Sequence, residues 1–338
     1  MNKKKSTWVW TRRTGISLFS LAIFLLLIGV AYQYISTKLD ESRYPPLGKM
    51  VDIGGYRLHL NCTGDNGPTV VFDSGLGNNS LEWALVQPEI AKSNRVCSYD
   101  RAGYTWSDKS PLERTSQNIV EELRALLKNA EIPGPYILVG HSFGGFNVLL
   151  YASKYPEEVA GVVLVDSSHE DLLKKTLQPK PHPKTKLFLS HIGYLRLVAH
   201  LPQNKKALEM FSPNIQQMWI ATLSTNQSVK TMTEERALFD TSANQIKTAK
   251  INLNDTPLIV ITAGKKMTPE ETGLSQEQCD QFMDTWKSFQ QDLASRSSKG
   301  KQLIAENSGH QIPMEQPTLI VEAIQEIIAN LSKEPESK

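Results

Sequence analysis

Three regimes of hydrophobic patterning follow one another along the chain. Residues 15–35 carry no charge, and a helix drawn through them has no polar face. Such a helix covers about 30 Å, enough for a bilayer core. Beyond it come short apolar runs separated by amphipathic stretches. Residues 50–53 and 56–61, joined by Gly54-Gly55, predict a hairpin. The runs at 69–72, 95–99, 136–139, 158–165, 257–262 and 302–305 have the length and composition of buried strands. Helical spacing occupies 80–91, 115–129, 280–295 and 317–331; in the second of these Ile119, Leu123, Leu126 and Leu127 share a face. This alternation predicts an α/β fold with a mostly parallel central sheet and helices on both faces.

The third regime, 167–250, lacks strand signals. Helical segments at 205–223 and 233–249 alternate with turns at Pro179, Pro181, Pro183, Pro202 and Pro213, which predicts a helical lid inserted over the sheet. The expected organisation is a basic tail (1–14), a transmembrane helix (15–35), a linker (36–47) ending in Pro45-Pro46, a core (48–166 and 251–338) and the lid (167–250).

Charge refines this picture. The net charge is +2, but Lys3, Lys4, Lys5, Arg12 and Arg13 precede residue 36 without an acid among them, leaving −3 for the remainder. No basic patch remains to recruit nucleic acid. The positive-inside bias places residues 1–14 in the cytoplasm and the bulk of a single-pass cell-membrane protein outside it, with membrane lipid as a partner of the helix. A cleaved signal and a secreted product are the alternative, since residues 21–31 have signal-like length and Gly29-Val30-Ala31 offers a cleavage site. The uncharged span continues through Tyr32-Gln33-Tyr34-Ile35, which favours an anchor.

The chemistry centres on Val139-Gly140-His141-Ser142-Phe143-Gly144-Gly145, between an apolar strand and a helical run. Gly-x-Ser-x-Gly at a strand–turn–helix junction holds a serine hydroxyl clear of the sheet, and the glycines remove side chains that would collide. A serine hydroxyl needs a base within hydrogen-bond reach. His310 follows the last strand in a Gly-containing loop before the final helix. His169, His182, His191 and His200 fall in the lid, His59 in the opening hairpin, and His141 beside the serine at the turn. The order nucleophile first, histidine last, therefore selects Ser142 and His310.

From residue 48 onward the chain resembles the α/β-hydrolases of the abhydrolase-1 type, with a membrane anchor in front. The matching pieces are Asp73-Ser74-Gly75-Leu76-Gly77, Tyr99-Asp100-Arg101-Ala102-Gly103-Tyr104-Thr105-Trp106-Ser107, the serine turn, and Ser308-Gly309-His310. Thr105 departs from the glycine common in relatives. The resemblance implies that the N–H groups of Leu76 and Phe143 form an oxyanion hole. It also implies a serine hydrolase whose small-molecule acyl substrate is an ester, including lipid esters. Amide hydrolysis of the aminopeptidase kind, or a non-catalytic binding protein of the same fold, are the alternatives. Epoxide hydrolase and haloalkane dehalogenase relatives place a carboxylate where Ser142 stands.

The acid is open. Such relatives usually supply it after the strand at 257–262, but Ala263-Gly264-Lys265-Lys266-Met267 stands there, with no carboxylate before Glu270 and Glu271. Asp166, one strand earlier at the end of 162–165, is the other choice, and is taken as the third catalytic residue with Ser142 and His310. In the family's strand order, Cys62 and Cys97 lie on neighbouring strands. A disulfide between them is then expected outside the cytoplasm, with two free thiols as the alternative, and Cys279 unpaired. No zinc spacing or phosphate loop occurs, so no cofactor or metal is expected. Asn61, Asn78, Asn226 and Asn330 each open an Asn-x-Ser/Thr triplet.

Overall fold

The computed structural model describes residues 3–172 and 183–333. Eight strands form one sheet: β1 (Lys49–Asp52), β2 (Arg57–Thr63), β3 (Thr69–Asp73), β4 (Val96–Tyr99), β5 (Tyr136–His141), β6 (Val159–Val165), β7 (Leu258–Ala263) and β8 (Gly300–Ala305). Their spatial order is β1-β2-β4-β3-β5-β6-β7-β8. β1 and β2 form the predicted hairpin, and β2 pairs antiparallel with β4. All later pairings are parallel. After β3 the chain steps to β4 on one side and then to β5, β6, β7 and β8 on the other, so the carboxyl ends of β3, β5, β6 and β7 meet at one edge of the sheet. Loops at such an edge are where α/β sheets carry their sites.

Strand alternation divides the core. Val162, Leu164 and Leu138 face one cluster, which the helices Ser116–Asn129, Gly144–Lys154 and Gln276–Ala294 cover. Val163, Val165, Ile137 and Val139 face the other, beneath the helix Pro317–Leu331. Both faces of the middle strands are buried, which is why those runs read as continuously apolar. Each such side chain contributes about 1.5–3 kcal/mol.

Three expectations need correction. The span 80–91 is a 3₁₀ turn, Ser80–Trp83, followed by one helical turn, Gln87–Ile90, because Pro88 removes a donor that a continuous helix would use. The lid is more broken than the pattern suggests. Pro213 starts a new helix, Pro213–Leu223, with Ser212 as its cap, and the chain breaks again at Leu238 between Asn226–Ala237 and Phe239–Ala249. Pro179, Pro181 and His182 lie outside the described residues. The expected linker at 36–47 is helical as far as Arg43, within one helix Lys3–Arg43 of 41 residues. Pro45-Pro46 is the first stop signal after residue 35, and Lys38 pairs with Glu41 one turn away, so nothing local ends the helix sooner.

Cys62 and Cys97 sit opposite each other on β2 and β4 and are joined as a disulfide. Cys279 is free and buried.

Candidate active site

Ser142 caps β5 with φ of +52°, a left-handed conformation costly for a residue with a side chain. Two close approaches hold it there. A Cβ at Gly144 would lie 2.3 Å from the Asp73 carbonyl oxygen, and one at Gly140 would lie 2.6 Å from the Gly144 carbonyl oxygen. The Ser142 N–H donates to Val165 O at 3.1 Å, and its carbonyl accepts from Ser168 N at 3.0 Å. The turn is thereby tied to the end of β6.

His310, from the loop after β8, places Nε2 3.0 Å from Ser142 Oγ. Its Nδ1 lies 2.6 Å from Asp166 Oδ2. Asp166 is buried and also left-handed, with φ of +42°. Its other oxygen accepts from Trp286 Nε1 at 2.7 Å and from Ala263 N at 2.9 Å. The last residue of β7 thus directs an N–H at Asp166 and brings no carboxylate of its own. Glu270 and Glu271 are exposed, and Glu271 faces Lys265 at 3.3 Å. The structure does not bring either of them to His310. Among the described residues no other histidine reaches Ser142: His59 lies 2.9 Å from Asp100, and His169 stacks on Phe289.

The α/β-hydrolase-fold family model matches residues 68–195. The Cif epoxide hydrolase of Acinetobacter nosocomialis superposes with a TM-score of 0.65 over 88% of this chain and 96% of that one, at 15% identity. An uncharacterised Bacillus subtilis protein, YqjL, is 26% identical over 82% of this chain and 91% of its own length. A 2-hydroxymuconate semialdehyde hydrolase from a Pseudomonas species is 33% identical over 37% of this chain and 44% of its own. The chain has the α/β-hydrolase fold.

In this fold Leu76 and Phe143 both line the cavity that holds Ser142 and His310. Neither of their N–H groups donates to a protein acceptor among the described residues. Phe143 stands at the N-terminus of the helix Gly144–Lys154, where the dipole favours negative charge. The cavity measures about 550 Å³ and has mainly apolar walls, including Phe239, Phe282, Met283 and Trp286, with Arg236 and Lys265 as its cations.

Two buried networks that the sequence pattern does not reveal hold the loops in place. Glu82 accepts from Gly75 N at 2.9 Å and faces His141 Nδ1 at 2.8 Å, while His141 Nε2 meets the His310 carbonyl at 2.8 Å. Burial works against charge on both side chains, but their mutual attraction and hydrogen bonds win: His141 is raised and Glu82 lowered. A charged His141 then donates at both nitrogens, linking the Leu76 loop to the His310 loop. On the far side, Arg101 donates to Asp73 at 2.8 Å, to the carbonyls of Ser74 and Gly75, and to both oxygens of Glu235 on the lid helix Asn226–Ala237. Arg101, Asp73 and His141 stand inside recognisable motifs; Glu82, Glu235 and Trp286 have no local signal.

Proposed function

We propose that this hydrolase cleaves esters through an acyl-enzyme on Ser142. The observation that carries the reading is the Ser142–His310–Asp166 relay, with both links at hydrogen-bond distance. Ser142 Oγ attacks the acyl carbon while its proton passes to His310 Nε2. Asp166 holds Nδ1–H and stabilises the imidazolium. The negative oxygen of the tetrahedral intermediate takes the N–H groups of Leu76 and Phe143, each worth about 3–4 kcal/mol of barrier. As that intermediate collapses, the leaving alcohol takes the proton from His310. Water then repeats the sequence, with His310 as base, and frees the acid. A hydroxyl at position 142 suits acyl transfer, and the apolar walls suit an apolar acyl group, lipid esters included.

The helix Lys3–Arg43 anchors the enzyme in the cell membrane, with the catalytic domain outside the cytoplasm. An 18-residue stretch of the helix with mean hydropathy of 2.4 supports the anchor, the five bases ahead of it support the orientation, and the Cys62–Cys97 bond fits an oxidising compartment. The test is fluorophosphonate labelling of the full chain. Covalent capture that Ser142→Ala abolishes is expected, with p-nitrophenyl ester turnover falling in parallel. A folded wild type that neither labels nor turns over would leave a binding protein of the same fold.

A further inference from the structure

The helix Lys3–Arg43 does not stand apart from the domain. Gln33 Nε2 donates to the Ser224 carbonyl at 2.8 Å in a buried contact. Arg196, on the lid helix Tyr194–Ala199, is buried and donates to Gln33 at 3.2 Å, to Thr37 at 3.3 Å and to Asp40. Tyr44 bonds Gln217 at 2.8 Å. The closest approach lies further up the helix. A Cβ at Gly29 would sit 2.5 Å from the Ile192 carbonyl oxygen, and one at Gly193 would sit 2.7 Å from the Tyr32 ring.

Gly29 lies six positions before Ile35, the last apolar residue of the span, about 9 Å along the axis. If the helix crosses a bilayer with that span in the hydrocarbon, the lid turn Ile192-Gly193 cannot remain in water. The lid surface beside that turn has a matching composition. Phe188 is 53% exposed, Tyr194 49%, Leu197 54% and Leu201 42%. Four large apolar side chains on neighbouring short helices are costly in water, and exposed apolar groups clustered in this way mark an interaction surface. From residue 183 to 212, apart from the buried Arg196, the chain holds Lys184, Lys186, Lys205 and Lys206 against a single acid, Glu209. Apolar and aromatic residues beside basic ones describe a surface that beds into a lipid headgroup layer.

We propose that the lid face carrying Phe188, Tyr194, Leu197 and Leu201 is seated in the outer membrane leaflet, from which the N-terminal helix emerges. The occupant of this face is lipid, and Arg196 is the clamp that fixes the lid to the helix at that depth. Behind the face lies an apolar cavity of about 370 Å³, lined by Leu195, Val198, Leu208, Trp219 and Met232 and reaching Gly77. Gly77 adjoins Leu76, which lines the Ser142 cavity. Seating the lid therefore places an apolar space between the bilayer and the proposed oxyanion donors, a route for an acyl chain drawn from lipid. The inference rests on the membrane-anchored reading above.

The experiment uses the full chain with Cys279→Ser, reconstituted in phosphatidylcholine–phosphatidylglycerol nanodiscs. The environment-sensitive fluorophore NBD is attached at Leu197→Cys, Leu201→Cys or, as a control on the core domain, Leu112→Cys, which is 48% exposed. Doxyl-labelled lipid is expected to quench the two lid positions roughly threefold more than position 112, with aqueous iodide showing the reverse order. Equal lipid quenching at 197, 201 and 112 in protein that stays with the discs overturns the seated lid and leaves the anchor standing. Protein recovered free of the discs removes the anchor and the seated lid together. The readout needs no turnover, so a seated lid on a protein that fails fluorophosphonate labelling would separate this inference from the proposed chemistry. Arg196→Leu is expected to lower lipid quenching at 197 toward the control value while leaving the protein in the disc; unchanged quenching would exclude the clamp.

Discussion

Trp286 donates its indole N–H to Asp166 at 2.7 Å, on the carboxylate oxygen that does not face His310. The ring comes from the middle of the helix Gln276–Ala294, more than a hundred residues after the acid. A carboxylate left-handed at the end of β6 would be free to swing; two donors on Oδ1, Trp286 and Ala263, fix its plane and leave Oδ2 for the imidazole.

Trp286→Phe keeps the ring and removes the donor. One charge-assisted hydrogen bond is worth about 1.5–3 kcal/mol, so kcat on a p-nitrophenyl ester is expected to fall by roughly 10–100-fold. Because the loss acts through Asp166, KM should change little. A fall confined to KM would mean that Trp286 only shapes the cavity.

Asp166→Asn is expected to lower kcat by about 10⁴-fold, since the amide can present N–H where the imidazole needs an acceptor. Glu270→Gln and Glu271→Gln should stay within threefold of wild type. Turnover of Asp166→Asn within threefold of wild type would return the role to a carboxylate elsewhere.

Glu82 and His141 set a pH-dependent stability. His141 is raised above its ordinary value, so its contribution is complete below about pH 6.5 and fades as pH climbs through the raised value. Glu82 is lowered, so its contribution is complete above about pH 4.5 and fades as pH falls through the lowered value. The Tm advantage of wild type over Glu82→Gln should therefore peak near pH 5–6.5 and shrink on the alkaline side. Removing one partner of a buried pair costs about 3–5 kcal/mol. A Tm difference that does not vary between pH 5 and pH 9 would show that the pair is not charged.

The Cys62–Cys97 bond closes a loop of 35 residues. Chain-entropy reasoning gives it about 3–4 kcal/mol. Paired Cys62→Ser and Cys97→Ser substitutions should lower the urea midpoint accordingly, and reductant should lower the wild-type midpoint toward that of the double variant. Insensitivity of the wild type to reductant would exclude the bond in the folded protein.

Much of the architecture was legible because it is written locally. The continuous apolar runs of β3, β5 and β6 can only be strands buried on both faces, and the Gly140–Gly144 turn needs its glycines whatever surrounds it. Helix ends were less legible where a neighbour contributes: the extension past Ile35 toward Pro45-Pro46 is braced by Arg196 on Asp40, 156 residues apart, and the break at Leu238 has no Gly or Pro to announce it.

By itself the sequence settled the fold class, the strained serine and the histidine loop that follows β8, since each depends on residue types within a few positions. Only the tertiary structure decided which acid meets His310 and what supports it. Asp166, Glu270 and Glu271 are all carboxylates, and the place of Asp166 at the end of an apolar strand favoured it without closing the choice. Their difference is a matter of distance across the parallel sheet: β6 ends beside β5, which carries the serine, whereas Glu270 and Glu271 stand in solvent beyond β7. Side-chain chemistry is fixed residue by residue, but reach, burial and the N–H groups of Trp286 and Ala263 exist only once distant segments have packed together.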